Sequence, residues 1–385
     1  MLSKLTHILR LLKMRWTYGN YAYYYWFLPL QAKKIVVSVH YGRGYSDSPK
    51  YIVAELLQHG FDIVWLVRED QESSLPAGVR AVRYGSKQAL RELATAKIWL
   101  DNCRQKYSPP KRRKQMYIQT WHSPLRLKKI EKDAENQLPI AYLDRAKRDA
   151  KKCDYMLAGS DFSRAMYQAS FWFDGEVLPL GTPRCDLLLN KNPALHQSVA
   201  DFFQVASTTK FALYAPTFRQ EASLSVYLQE FTEVKQALQD KFGGDWKILI
   251  RLHPNVAKLA DDMVYGEDIF NATSYPDMQE LLATTELLIT DYSSSMFDMA
   301  LAGKKVILYT PDLTSYLAKE RTFYFDVKEL PFSISKTKEA LLQQVAQFNE
   351  RVYQQQVALF NTQIGSYEQG NAAVAVAKKI QALCQ

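Results

Sequence analysis

"LLITDYSSSMFDMALAGKKVILY", residues 287–309, decides the architecture of this chain. An apolar run at 287–290 ends in Asp291. Three consecutive serines, Ser293, Ser294 and Ser295, follow, and a helical pattern over 296–302 stops at Gly303. A second apolar run then begins. Strand, serine loop, helix and strand within so few residues form a βαβ unit, the element from which parallel sheets are built.

Working outward, the same rhythm fills the chain. In the first half the strand candidates are KIVVSVH, FDIVWLV, VRAVRY, AKIWLDN, QMYIQTW, DYMLAGS and EVLPLG, with helical patterns between them. In the second half they are KFALYAPT, WKILIRLH, DIFNAT, ELLITDYS, KKVILYT and FYFDV. Short β-rich runs alternating with longer helices predict an α/β fold of two doubly wound domains facing a cleft, with ligands beyond the carboxyl ends of the strands. The expected organisation is an amphipathic segment at 1–30, a first domain at 31–195, a second at 205–335, and a helical tail at 336–385, with the weak join at 190–207.

Composition narrows the function class. The 385 residues are 47% hydrophobic and 23% charged, which argues against disorder. A net charge of +9 favours anionic partners without choosing among them. The basic loop PPKRRKQ, 109–115, reads as a solvated turn, so nucleic acid is not an expected partner. The four cysteines are scattered and form no metal or disulfide pattern. Neither a cleavable leader nor an apolar run long enough to span a bilayer is evident. Near the N-terminus Leu2, Leu5, Ile8, Leu9, Leu11 and Leu12 recur at helical spacing among Lys and Arg, and the aromatic run YGNYAYYYWFLPL follows. That pattern suits a membrane interface; the plainer alternative is a helix packed on its own domain.

Only six histidines are present, and two close strands just before proline-bearing loops: His122 after QMYIQTW and His253 after WKILIRL. A lone strand-end histidine is more often structural. Two in matching positions of facing domains favour chemistry, because a neutral imidazole takes a proton and an imidazolium stabilises phosphate charge. The serine triplet falls at a helix start, where free N–H groups and the helix dipole favour an anion. Asp291 is expected to hold that loop and Asp298 to project from the first helical turns. Thr217 and Arg219 in YAPTFRQ, Arg251 before His253, and Gly181, Thr182 and Arg184 in LGTPRCD fit the same cleft, arginine being suited to clamping phosphate. Ser48 is expected to cap the helix after GYSDSP, leaving Asp47 exposed. Neither a Walker loop nor a GxGxxG fingerprint is found, and no acidic cluster is built for a divalent ion, so neither cofactor nor metal is expected.

The motifs YIQTWHSP, LAGSDFSRAMY, LGTPRCDLL, YAPTFR, IRLHP and LITDYSSSMFD, in that order, resemble the CDP-glycerol glycerophosphotransferase family of bacterial envelope polymer synthesis. The resemblance covers roughly residues 35–324. It departs at Ser123, where the family commonly has glycine. It implies a GT-B-like fold, with CDP-glycerol held mainly by the second domain. It also implies His122 as general base on the acceptor hydroxyl, His253 beside the diphosphate, and Ser293 and Ser294 at the phosphate-binding helix start. The expected reaction is transfer of glycerol phosphate from CDP-glycerol to a lipid-linked glycan or teichoic acid acceptor, with CMP released, at the cytoplasmic face of the plasma membrane. CDP-ribitol as donor, a GT-B nucleotide-sugar glycosyltransferase and a non-enzymatic polyanion-binding membrane protein remain as alternatives.

Overall fold

A computed structural model of the chain describes residues 12, 18–68, 75–106, 108–219, 227, 230–253, 256, 260, 265–319 and 322–385. The first half forms seven strands: β1 (Gln31–Ser38), β2 (Asp62–Val67), β3 (Val79–Arg83), β4 (Ala96–Asp101), β5 (Met116–Gln119), β6 (Tyr155–Leu157) and β7 (Glu176–Leu178). Their order is β3-β2-β1-β4-β5-β6-β7, parallel throughout. The second half adds β8 (Lys210–Tyr214), β9 (Trp246–Ile250), β10 (Ile269–Asn271), β11 (Thr285–Thr290), β12 (Lys305–Tyr309) and β13 (Ser333–Ser335). These run β10-β9-β8-β11-β12-β13, again parallel. Strand order reverses beside β1 and β8, and at such switch points open α/β sheets bind ligands.

The sequence dictates this layering. β2 from Ile63 onward and β11 from Leu287 onward are buried without a break, as strands covered by helices on both faces must be. Helices begin where polar caps occur: Ser86, Ser160 and Asp277 accept from Ala89, Ser163 and Gln279 backbone N–H groups.

Two expectations are corrected. FYFDV does not form the last strand; that place is taken by Ser333–Ser335. The backbone of Thr322 and Tyr324 instead hydrogen-bonds Lys129 and Leu127 of the first domain, and Phe325 packs on Phe162. The alternation that suggested a strand is real, but it serves an extended crossing between domains. The expected tail at 336–385 is also not one unit. Val345, Val357 and Phe360, from helices Lys338–Ala346 and Glu350–Gln363, join the second domain's core. Val376, Ala377 and Ile380 of the helix Ala372–Leu383 return to cover the first sheet. Near the expected join, Leu188, Val199, Ala200 and Phe203 already belong to the second core, so the changeover lies close to Asp186.

The N-terminal leucine stripe lies outside the described residues except for Leu12. The aromatic run forms a helix, Tyr21–Phe27. Tyr21 and Ala22 bury against the first domain, while Tyr23 and Phe27 are 56% and 72% exposed and stack on each other. Among the described residues no helix is long and apolar enough to cross a membrane.

Candidate active site

His122 sits three residues beyond β5, at the carboxyl edge of the first sheet. Its ring stacks on buried Trp121 at 4.7 Å, and Trp121 itself lies at φ +56. His122 Nδ1 lies 2.8 Å from the backbone oxygen of Asn102. A carbonyl only accepts, so Nδ1 carries the proton and Nε2 keeps its lone pair. Enclosure first, then the charges of Arg126 and His40, push the His122 pKa down to about 3. The ring is therefore neutral, as a base must be before it takes a proton. An anionic diphosphate entering the cleft opposes those charges and makes the nitrogen more basic.

Beside it lies a constellation centred on His40, two residues beyond β1. The His40 and His122 ring centroids are 5.8 Å apart. His40 Nε2 is 3.0 Å from Asn102 Nδ2 and 3.4 Å from Asp47 Oδ2. Asp47 is buried at the start of the helix Asp47–Leu57, which corrects its expected exposure. Ser48 does not cap that helix; Ser46 holds the capping position. Burial alone would raise the Asp47 carboxyl, but Arg184 and His40 hold it well below the usual carboxylate range. His40, Tyr41, Asp47 and Trp121 all have φ between +44 and +62. For side chains other than glycine this is strained backbone, which persists where surrounding structure enforces it and clusters at functional sites.

Across the cleft, the β8 and β11 ends form the second wall. Asp291 accepts from the Thr217 and Tyr292 N–H groups and pairs with Arg219 at 2.9 Å, so it holds the loop as expected. Arg219 is committed to carboxylates: it also pairs with Asp312 at 2.7 Å and lies against the stacked Tyr292 and Tyr316 rings, 4.9 and 4.8 Å from their centroids. It also donates to the Thr217 oxygen, so it braces the loop that follows β8. Arg251 donates to the Ala272 and Tyr275 oxygens. The Thr217 hydroxyl is buried with no hydrogen-bond partner among the described residues. Ser294 occupies the position before the helix Ser295–Leu301 without a side-chain capping bond, while Ser293 and Ser295 hydroxyls meet at 2.9 Å. Ser293 Oγ also accepts weakly from the Ser295 N–H at 3.4 Å, so one serine caps the helix start and the Ser294 hydroxyl is left over from capping. His253 is exposed beside the Phe218 ring. Crowding around its ring first, then Lys128, Arg43 and His40, lower its pKa. All three of those groups belong to the first domain, so the two walls face each other closely.

Gly181, Arg184 and Asp298 form the joint between the walls. Arg184 donates to Asp298 at 2.8 Å and faces Asp47 at 3.6 Å, linking the serine-bearing helix to the His40 cluster. Asp298 is fully buried and points inward, away from solvent. Gly181 has φ +84, and a Cβ there would lie 2.9 Å from Ala372 on the returning helix. Lys50 crosses to Asp277 and Glu280, both at 2.7 Å. Leu125 and Leu127, just after His122, insert into the second domain's core. Ser123 is buried, and its hydroxyl has no hydrogen-bond partner among the described residues.

Residue-by-residue reading missed His40, Asn102, Lys50 and Lys128. His40 carried the signal used for the other two histidines, since it directly follows a strand. Asn102 and the lysines carried none, because their roles depend on distant segments.

With the geometry in place, comparison with known proteins is decisive. The family model for CDP-glycerol:poly(glycerophosphate) glycerophosphotransferase matches residues 21–382. The teichoic acid poly(glycerol phosphate) polymerase of Bacillus spizizenii is 26% identical over 92% of this chain and 93% of its own length. That of Staphylococcus epidermidis is 27% identical over 89% of this chain, which spans only 50% of the longer protein. The structure of the wall teichoic acid polymerase TagF superposes with a TM-score of 0.84 at 25% identity, covering 100% of this chain and 98% of that one. The two parallel sheets are thus GT-B-like, and the chain belongs to the CDP-glycerol:poly(glycerophosphate) glycerophosphotransferase family.

Proposed function

We propose that this enzyme transfers glycerol phosphate from CDP-glycerol to a hydroxyl of a lipid-linked teichoic-acid-type acceptor and releases CMP. The observation that carries the reading is the pairing across one cleft of a neutral His122, its Nε2 bare, with a serine-lined helix start and a rim of cationic groups. Phosphoryl transfer asks the protein mainly for positioning and charge neutralisation. His122 Nε2 takes the acceptor proton. Ser293, Ser294 and Thr217 offer hydroxyls to the diphosphate. His253, Lys128 and Arg43 supply positive potential on the entry side.

A ribitol donor is the second reading. It is favoured by similarity to the teichoic acid ribitol-phosphate primase of Bacillus spizizenii, 29% identical over 84% of this chain. The exposed aromatic face of Tyr21–Phe27 supports docking on the cytoplasmic membrane surface, where a lipid-linked acceptor resides. The deciding experiment supplies CDP-glycerol and CDP-ribitol separately with extracted lipid-linked acceptor and follows CMP. CMP from CDP-glycerol alone supports the first reading. CMP from CDP-ribitol alone transfers the assignment to the second, and CMP from neither rejects both.

A further inference from the structure

We infer that His40 donates a hydrogen bond from Nδ1 to the transferring phosphoryl group, and that Asn102 is the positioning residue that presents it. The inference rests on the phosphotransfer reading above. Asn102 is fully buried, and both polar atoms of its side chain are committed. Its Oδ1 accepts the His40 backbone N–H at 2.9 Å, which fixes the orientation of the amide. The two Nδ2 hydrogens are then directed to Asp47 Oδ2 at 2.8 Å and His40 Nε2 at 3.0 Å. A nitrogen that receives a hydrogen must hold a lone pair, so the proton of neutral His40 lies on Nδ1.

The competing arrangement places the proton on Nε2, aimed at Asp47. That contact is longer, at 3.4 Å, and Asp47 already accepts from Ser48 N and Asn102 and faces Arg184. Asn102 also accepts from His122 Nδ1 through its carbonyl. One residue thus sets the same tautomer in both rings but turns opposite atoms to the cleft: a bare Nε2 on His122 and an N–H on His40. No described residue accepts from His40 Nδ1, and the side chain is 42% exposed beside the His122 ring.

The chemistry balances. The acceptor oxygen forms a bond to the phosphorus bearing the polyol, the P–O bond to CMP breaks, and CMP leaves with its electron pair. The acceptor proton goes to His122 Nε2. His40 transfers no proton; its N–H meets a non-bridging oxygen where charge develops.

Asparagine places an amide nitrogen where histidine has Nδ1, and glutamine places one where it has Nε2. His40→Ala and His40→Gln should each lower kcat by about 10²–10³-fold with donor binding little changed, the loss expected for one such donor. His40→Asn should recover most of it. Recovery by His40→Gln instead, or no loss in His40→Ala, would show that His40 only braces Asn102 and Asp47. Nitrogen chemical shifts of histidine-labelled full-length protein read the tautomers without any reaction. Both rings should carry Nδ1–H; in Asn102→Ala the His122 signature should persist while that of His40 is lost. An Nε2–H on either ring in the wild type overturns the assignment. A wild-type protein that releases no CMP from either donor refutes the phosphotransfer reading while the shifts still decide the tautomers.

Discussion

Replacing Arg184 with Met tests whether the two domains are joined by a buried ion network or merely decorated by one. Arg184 is 9% exposed, and its partners Asp47 and Asp298 are 5% and 0% exposed. Met keeps most of the aliphatic stem, so the change isolates the charge. Two buried carboxylates then lose their cation, which costs about 3–5 kcal/mol, whereas an exposed pair would cost about 1 kcal/mol at most. At about 2–4 °C per kcal/mol, melting should fall by an amount on the order of 10 °C. The pH dependence has a definite sign. Arg184 and His40 hold the Asp47 pKa below its unfolded value, so Asp47 contributes stability above the unfolded pKa that is lost as pH falls through the folded one. Burial raises the Asp298 pKa, and removing Arg184 raises it further. Arg184→Met should therefore be most destabilised near neutrality and converge on the wild type in acid. Asp298→Asn added to Arg184→Met should restore part of the loss, because one stranded charge is gone. Differential scanning calorimetry from about pH 3 to about pH 8 measures this. A drop equivalent to about 1 kcal/mol or less, independent of pH, would refute the reasoning.

Four further outcomes are expected. Ser293→Ala with Ser294→Ala should weaken CDP-polyol binding by about 1–3 kcal/mol per lost charge-assisted bond, and titration calorimetry showing unchanged affinity in a folded variant would reduce the triplet to a helix cap. Because the His122 pKa is lowered to about 3, the acid limb of kcat/KM should fall well below the ordinary imidazole range; a limb near 6.5 would contradict a neutral, enclosed base. His122→Ala should cut turnover about 10²–10⁴-fold while leaving donor affinity nearly intact. Deleting residues 1–13, or changing Tyr23 and Phe27 to Ser, should lower partitioning to anionic vesicles; equal sedimentation with vesicles would remove the membrane role from this segment.

The sequence by itself determined the local terms. Apolar runs bounded by Gly, Ser and Pro marked all seven strands of the first sheet and five of the six in the second; the interior strands were clearest, because a strand covered on both faces must be apolar along most of its length. His122, His253 and the serine triplet were legible for a related reason: in a parallel sheet the chain leaves every strand at the same edge, so polar residues after strands collect there. Tertiary structure decided what local pattern does not encode. Tyr324 alternates like a strand residue, yet its backbone bonds Leu127 of the other domain. Asp47 looked exposed in a polar loop, yet its carboxylate meets Asn102 from 55 residues away and Arg184 from a later strand connection. Arg219 looked ready to clamp phosphate, yet Asp291 and Asp312 hold it. Charge pairing and proton placement depend on which distant segments become neighbours. That proximity follows from how the sheets stack and close, not from residue spacing along the chain.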